Sequence, residues 1–273
     1  MKFYLGTHMP GWLTSAPANV PLFISHRRLA VRGPLPRVDR PWALDSGGFS
    51  ELNLYGTWRT TPEEYAAAVV RYDRETGHVE WAAPQDWMVE PFMLAKTGLT
   101  VAEHQARTVA NFGRLTSLWA ELSDDECPFM PVLQGWTKVD YLECWNRYEE
   151  AGINLADYPL VGLGSVCRRQ ATEEIGDVIV SLKERDPDIP LHGFGVKLAG
   201  LVTYGHLLES ADSMAWSFNG RHDARLPGCT AHKNCANCMT YALRWRDKIL
   251  AACPGDQYAS IAGLYSKAAR SNP

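Results

Sequence analysis

Eight times along this chain a short, unbroken apolar run leads into a turn rich in glycine or polar residues. The runs are FYLGT at 3–7, PLFIS at 21–25, WALDS at 42–46, VEWAA at 79–83, FMPVL at 129–133, LVGLG at 160–164, LHGFG at 191–195 and DSMAW at 212–216. Most lack the in-out alternation of a half-exposed strand, as parallel strands covered on both faces do. Helical patterns separate the later runs. Thr61-Pro62-Glu63-Glu64 supplies an N-cap, a proline at the first helical position and a capping-box glutamate, and Gly77 is a fitting terminator. Thr100 with Glu103 opens a helix through Ser123, Thr137 opens one that Gly152 closes, and 170–185, 201–210 and Met239–Cys253 read as three more.

Eight strands with intervening helices predict an α/β fold, a (β/α)8 barrel of the TIM type, with an open doubly wound sheet as the alternative. A chain of 273 residues suits one such barrel over 1–273, with a small zinc-binding insertion at 218–245 after the last strand and before the C-terminal helices. Residues 8–20 and 26–40 are rich in Pro, Gly and Arg and do not read as regular helices.

In a barrel, reactive groups sit just beyond the C-terminal ends of the strands. Those positions hold Asp45 in Leu44-Asp45-Ser46-Gly47-Gly48-Phe49, Asp86 in Pro84-Gln85-Asp86-Trp87, and Gln134 in Val132-Leu133-Gln134-Gly135. Gly162-Leu163-Gly164-Ser165, the stretch from His192 to Lys197, and Asp212 complete the set. Each alone reads blandly, as a helix cap, a turn glycine, a surface amide or a structural histidine. Together, three carboxylates and an amide at one mouth suit chemistry at an anomeric carbon, with one carboxylate attacking and another moving protons. Glycines there let a flat ligand approach the backbone.

Cys229, His232, Cys235 and Cys238 stand at spacings of three, three and three, four soft ligands suited to tetrahedral zinc. Four protein ligands fill the shell, so the expected ion is structural. The seven cysteines are otherwise scattered, which fits a reduced compartment better than a disulfide framework. No apolar run approaches the roughly 20 residues of a membrane span, and MKFYLGTHMPGW breaks its apolar stretch with Pro and Gly. The expectation is a cytoplasmic protein. A net charge of −4 gives no global basic field, so nucleic-acid binding must rest on local groups: Arg27, Arg28, Arg32, Arg37 and Arg40 in one loop, Arg168 and Arg169, or Arg221, Arg225 and Lys233.

The string Asp45-Ser46-Gly47-Gly48-Phe49, the Asp86 segment, Val132-Leu133-Gln134-Gly135, Val161-Gly162-Leu163-Gly164 and the Asp212 strand followed by the Cys/His cluster occur in the order of a known family. The chain resembles the tRNA-guanine transglycosylases and, more closely, their DNA-modifying relatives of the DpdA type from phages and bacterial genomic islands. The resemblance covers most of residues 40–240. It implies exchange of guanine in DNA for a 7-deazapurine such as preQ0, or the same chemistry on tRNA. It further implies that Asp212 is the nucleophile at C1′, that Asp45 handles protons, and that Asp86 and Gln134 bind the base edge. Ser46, Gly47, Gly48, Phe49, Gly162, Leu163, Gly164 and Lys197 would complete the substrate pocket. Strand-opening helper proteins are conceivable partners, and a membrane is not. In the tRNA enzymes the zinc ligands follow Cys-x-Cys-x-x-Cys with a distant histidine, whereas His232 lies inside the cluster here. Two other classes fit some of the same residues: a barrel glycoside hydrolase with Trp58, Trp87 or Trp136 stacking on sugar, and a non-catalytic zinc protein that binds nucleic acid.

Overall fold

The structure is a computed structural model that describes residues 1–77, 79–167, 169, 173–196 and 198–253. In chain order its elements are β1 (Lys2–Thr7), α1 (Trp12–Ser15), β2 (Leu22–Ser25), α2 (His26–Leu29), β3 (Trp42–Asp45), α3 (Gly48–Tyr55), α4 (Pro62–Thr76), β4 (Val79–Ala82), α5 (Pro91–Thr97), α6 (Val101–Leu122) and β5 (Val132–Leu133). There follow α7 (Lys138–Glu150), β6 (Val161–Leu163), α8 (Glu173–Arg185), β7 (Leu191–Gly193), α9 (Leu198–Tyr204), β8 (Ser210–Ser213), α10 (Ala215–His222) and α11 (Met239–Ala252).

All eight strands are parallel, in the order β4-β3-β2-β1-β8-β7-β6-β5. The first and last strands of that order meet as well. Ala82 forms a parallel bridge with Phe129, its N–H donating to Pro128 O at 2.7 Å and its carbonyl accepting from Met130 N at 3.2 Å. The sheet therefore curls round on itself, and the predicted α/β barrel is the observed fold, with the Cys/His cluster after its last strand.

The helices begin where the sequence provides caps. Thr61, Thr100 and Thr137 each accept from the N–H three residues on, while Glu64, Glu103 and Asp140 bond back to the cap N–H. Gly77 ends α4 in the left-handed conformation, at φ +87°. The DSMAW segment corrects the sequence reading. The strand is Ser210–Ser213, and Ala215 already opens α10. Helix 201–210 is likewise displaced: α9 occupies Leu198–Tyr204 and a single 3-10 turn follows at Gly205–Leu207. Helices α3 and α5 were not read from the sequence. Arg40 is no surface group: it is buried and donates to the carbonyls of Ala16 (2.6 Å) and Pro17 (2.5 Å) behind α1.

Two layers of side chains form the core. Leu5, Ile24, Leu44, Leu133, Val161 and Leu191 point outward into the helices. Tyr4, Phe23, Ala43, Trp81 and Met130 fill the inside of the barrel, with Phe194 packed on them. Side chains on a strand alternate between faces. Asp45 lies two residues beyond Ala43, Ser25 two beyond Phe23, and Asp212 pairs in register with inward-facing Tyr4. That parity turns Ser25, Asp45 and Asp212 into the mouth of the barrel. Among the described residues no helix is long and apolar enough to cross a membrane.

Candidate active site

At the C-terminal ends of the strands lies a cavity of about 590 Å³, lined by Asp45, Asp86, Glu90 and Asp212, together with Ser46, Gly48, Phe49, Gly164, Arg27 and Arg28 among others. The volume falls within the range of roughly 300–1,000 Å³ typical of small-molecule pockets. Three aspartates separated by 41 and 126 residues in the chain thus open onto one space.

Asp212 is held on one side only. Its Oδ1 accepts from the Gly195 N–H at 2.9 Å and lies 3.3 Å from His192 Nε2. His192 is fully buried, and its Nδ1 sits 2.8 Å from Ser210 Oγ. A neutral imidazole has one donor and one acceptor. With Asp212 ionised, Nε2 carries the proton and Nδ1 accepts from the Ser210 hydroxyl. The ring is wedged among Trp81, Phe194, Tyr4 and Phe23, with centroids at 4.6 to 6.2 Å, so it cannot swing away. Among the described residues Oδ2 of Asp212 makes no hydrogen bond, and it is the oxygen available to a ligand.

Asp45 accepts from the Gly47 N–H at 3.0 Å. Burial pushes its carboxyl up from the usual range, the charge of Asp212 adds to the rise, and the bonds from Gly47 and Ser25 oppose it. Asp86 is pushed up to about 7, chiefly by burial and then by the charges of Asp45 and Glu90, against the hydrogen bond from Gln134. With Asp86 pushed up to about 7, this site contains a carboxyl that can give or take a proton near neutral pH, and burial moves Asp45 in the same direction.

The two glycines of the Asp45 turn make room for neighbours. Gly47 has φ +82°, and a Cβ there would meet Arg27 Cγ at 2.8 Å. A Cβ on Gly48 would meet the Trp58 ring at 2.8 Å, and Trp58 Nε1 in turn donates to the carbonyl of Asp86 at 3.3 Å. The turn thus carries the stem of Arg27 on one side and, through Trp58, braces the Asp86 loop on the other.

The remaining sequence candidates separate into layers. Gln134 does not line the cavity. It is fully buried behind Asp86, with Nε2 donating to Asp86 Oδ2 and Oε1 accepting from Ser165 Oγ at 2.7 Å. Gly162 faces the barrel interior against Phe194 and Val132, and Leu163 packs in the outer core, so neither reaches the wall. Gly164 does reach it, and any Cβ there would strike the Gln134 amide. Lys197 lies outside the described residues, as does Arg168. Trp58, Trp87 and Trp136, the sugar-stacking candidates of the hydrolase alternative, do not line this cavity.

Several wall or support residues stand in stretches singled out from the sequence without a role of their own, and Glu90 lies outside those stretches. His192 and Gly195 hold Asp212. Glu90, buried, accepts from Ser165 Oγ at 3.2 Å, and Ser165 stands at φ +56°, the sole non-glycine residue of positive φ among those described. Its hydroxyl also accepts from the Val89 N–H at 2.9 Å. A serine in left-handed backbone at a pocket wall is a costly conformation, but no local sequence signal distinguishes it from a turn.

Behind β8, the ligand atoms of Cys229, His232, Cys235 and Cys238 lie within 4.8 Å of one another. Zinc bonds of about 2.3 Å to sulfur and 2.0–2.1 Å to nitrogen, at tetrahedral angles, place two sulfurs about 3.8 Å apart and a sulfur and nitrogen about 3.5 Å apart. The Cys229–Cys238 sulfurs are separated by 3.8 Å, and Cys235 Sγ and His232 Nε2 by 3.5 Å. The four residues therefore fit such an ion. They pack on α10: Ser217 Oγ donates to Ala236 O at 2.8 Å, and Gly220 leaves room for the backbone of Cys235. Asn237, between two ligands, bonds His8 on the cavity wall at 2.7 Å.

The chain joins a parallel barrel, acids gathered at its mouth and a Cys3His cluster behind the last strand, and its family match makes it a relative of the tRNA-guanine transglycosylases. The family model described as DpdA, DeoxyPurine in DNA protein A, matches residues 1–271, and the chain belongs to that family. A search of the curated proteins gave no match.

Proposed function

We propose that this protein exchanges guanine in DNA for a 7-deazapurine, preQ0 or a derivative, through a covalent bond between Asp212 and the nucleotide. Membership of the DpdA family implies a part in 7-deazaguanine modification of DNA and favours DNA over tRNA. The observation that carries the finer reading is the opening of Asp45, Asp86 and Asp212 onto one cavity with an unengaged Asp212 oxygen.

The chemistry runs in two displacements. Oδ2 of Asp212 attacks C1′, the C1′–N9 bond breaks, and guanine leaves with the electron pair and takes a proton from the Asp45 carboxyl. The incoming base then gives its N9 proton back to Asp45 and attacks C1′, the ester bond to Asp212 breaks, and the β configuration returns. Asp86 accepts from the donors on the base edge, and Gln134 and Ser165 fix Asp86 from behind. The base must leave the helical stack to reach the cavity, so the substrate is an extruded or single-stranded nucleotide. Cys229, His232, Cys235 and Cys238 would hold a structural zinc that ties α10 to α11, away from these steps.

Incubation of the protein with DNA and a deazapurine, followed by mass spectrometry of the nucleosides, checks the exchange. Incorporation into DNA, absent with Asp212→Ala, is the expected result. Only ordinary deoxyguanosine with the parent protein would remove the proposal, and incorporation into tRNA alone would transfer the chemistry to the other nucleic acid.

A further inference from the structure

Two arginines on the cavity wall have no role in the chemistry above. Arg27 and Arg28 follow β2 directly and both line the cavity. Neither forms an ion pair with a carboxylate within 4 Å among the described residues, although Arg40, Arg71, Arg114, Arg169 and Arg185 all do. The stem of Arg27 crosses Gly47, at a position kept open by the missing Cβ. Its Nη1 is cut off from solvent with no hydrogen-bond partner. An unmade bond on a buried guanidinium nitrogen is costly, more so than on a neutral group. A cation held in place beside acids, with a donor unspent, marks a position for an anionic acceptor.

The sheet order says what that acceptor is. Strands β8, β1 and β2 are consecutive, and neighbouring strands lie about 4.8 Å apart. The end of β2 is therefore about 10 Å from the end of β8, where Asp212 meets the sugar carbon. From a sugar at Asp212, the next group along a nucleic-acid strand is its phosphodiester, and a side chain as long as arginine covers the remaining distance. We infer that Arg27, with Arg28 beside it, is the phosphodiester-binding site that seats the nucleic-acid backbone next to the nucleotide under attack. Guanidinium groups suit this by presenting paired donors to phosphate oxygens. The choice of nucleic acid as ligand rests on the base-exchange reading, but the site itself is tested separately.

The test is the salt dependence of binding to a short single-stranded DNA, measured by fluorescence anisotropy on the intact protein from about 50 to 200 mM salt. Each phosphate contact contributes about 0.7 to the slope of log affinity against log salt on a single strand. Arg27→Met keeps the apolar stem over Gly47 and should lower that slope by about 0.7, whereas Arg27→Lys should largely restore it. Arg28→Met, at an exposed side chain, should give a second decrement and carries the test by itself if Arg27→Met does not fold. A slope unchanged in the folded variants overturns the inference, whatever inorganic phosphate does in competition. A reduced slope in a protein that never forms the Asp212 adduct would keep the phosphate site while removing the exchange chemistry. A normal adduct with an unchanged slope would do the opposite.

Discussion

Asp212, the proposed nucleophile, and its partners show how little of a reactive group is the group itself. The carboxylate is aimed by a backbone N–H from the loop after β7 and by a histidine on β7 whose other nitrogen is fixed by Ser210, two residues before Asp212 on β8. Removing a hydrogen bond to a charged acceptor costs about 1.5–3 kcal/mol, or about 10- to 100-fold in rate. His192→Leu, which keeps the bulk and removes the donor, should slow formation of the Asp212 adduct by that factor while DNA binding stays near that of the parent. Quenched-flow measurement of adduct formation checks this, and an unaltered rate would show that Gly195 alone suffices. His192 also illustrates what a sequence hides. A histidine in a buried strand ordinarily belongs to the core, and here it does pack there. Its second task depends on Ser210 and Asp212 on the neighbouring strand, a register that no local pattern reveals.

At the scale of elements, the strands most visible in the sequence are those that stay apolar on both faces up to their last residue. Leu22–Ser25 and Trp42–Asp45 are apolar because helices cover one face and the aromatic plug the other. Strand β8, Ser210–Ser213, is Ser-Ala-Asp-Ser, small and polar because its inner face must offer Asp212 and the hydroxyl that steadies His192. Its composition resembles a loop, so the sequence reading slid to the apolar Met214-Ala215-Trp216, which opens a helix. Helix α3 is hidden by its glycine start, and α5, which begins at Pro91, by its modest length. The Cys/His cluster was legible because ligand spacing alone carries the signal, and the side chains do converge. Its effect belongs to this scale as well. The four ligands join the end of α10 to the start of α11, so chelation, or Cys235→Ser, should lower the melting temperature by several degrees and raise amide exchange in α10 and α11 before the strands. Hydrogen exchange with and without chelator checks it, and equal protection in both would mean that the helices hold without an ion.

For the molecule as a whole, the crowded acids carry a cost that depends on pH. The Asp86 carboxyl, ordinarily near 3.8, is pushed up to about 7 in the folded chain. Between those values the folded protein binds more protons than the unfolded one, so this group makes stability fall as pH rises from about 4 to 7, and the penalty is complete above 7. Asp86→Asn removes it. The variant should therefore gain on the parent in thermal unfolding at pH 8 and gain much less at pH 5, and a gain independent of pH would assign the effect to packing. That the barrel itself could be read in advance follows from its physics: parallel strands need covered faces and crossover helices, and both leave periodic marks in the chain. The convergence of Asp45, Asp86 and Asp212 was inferable only once their strands were assigned, because it depends on which side of each strand they occupy.

The ring of strands has a weak joint. Seven neighbour pairs share ladders, that of β3 and β4 with a register shift at Trp42/Ala43, but β4 meets the run into β5 through one bridge, Ala82 with Phe129. Above that joint the side chain of Gln134, beyond β5, grips the carboxylate of Asp86, beyond β4. Asp86 is therefore a rivet as well as a pocket wall. A guest that draws on its carboxylate loads the same fastening that keeps the two halves of the barrel together, so occupancy of the pocket and the tightness of this seam are thermodynamically linked, each altering the other by the same free energy.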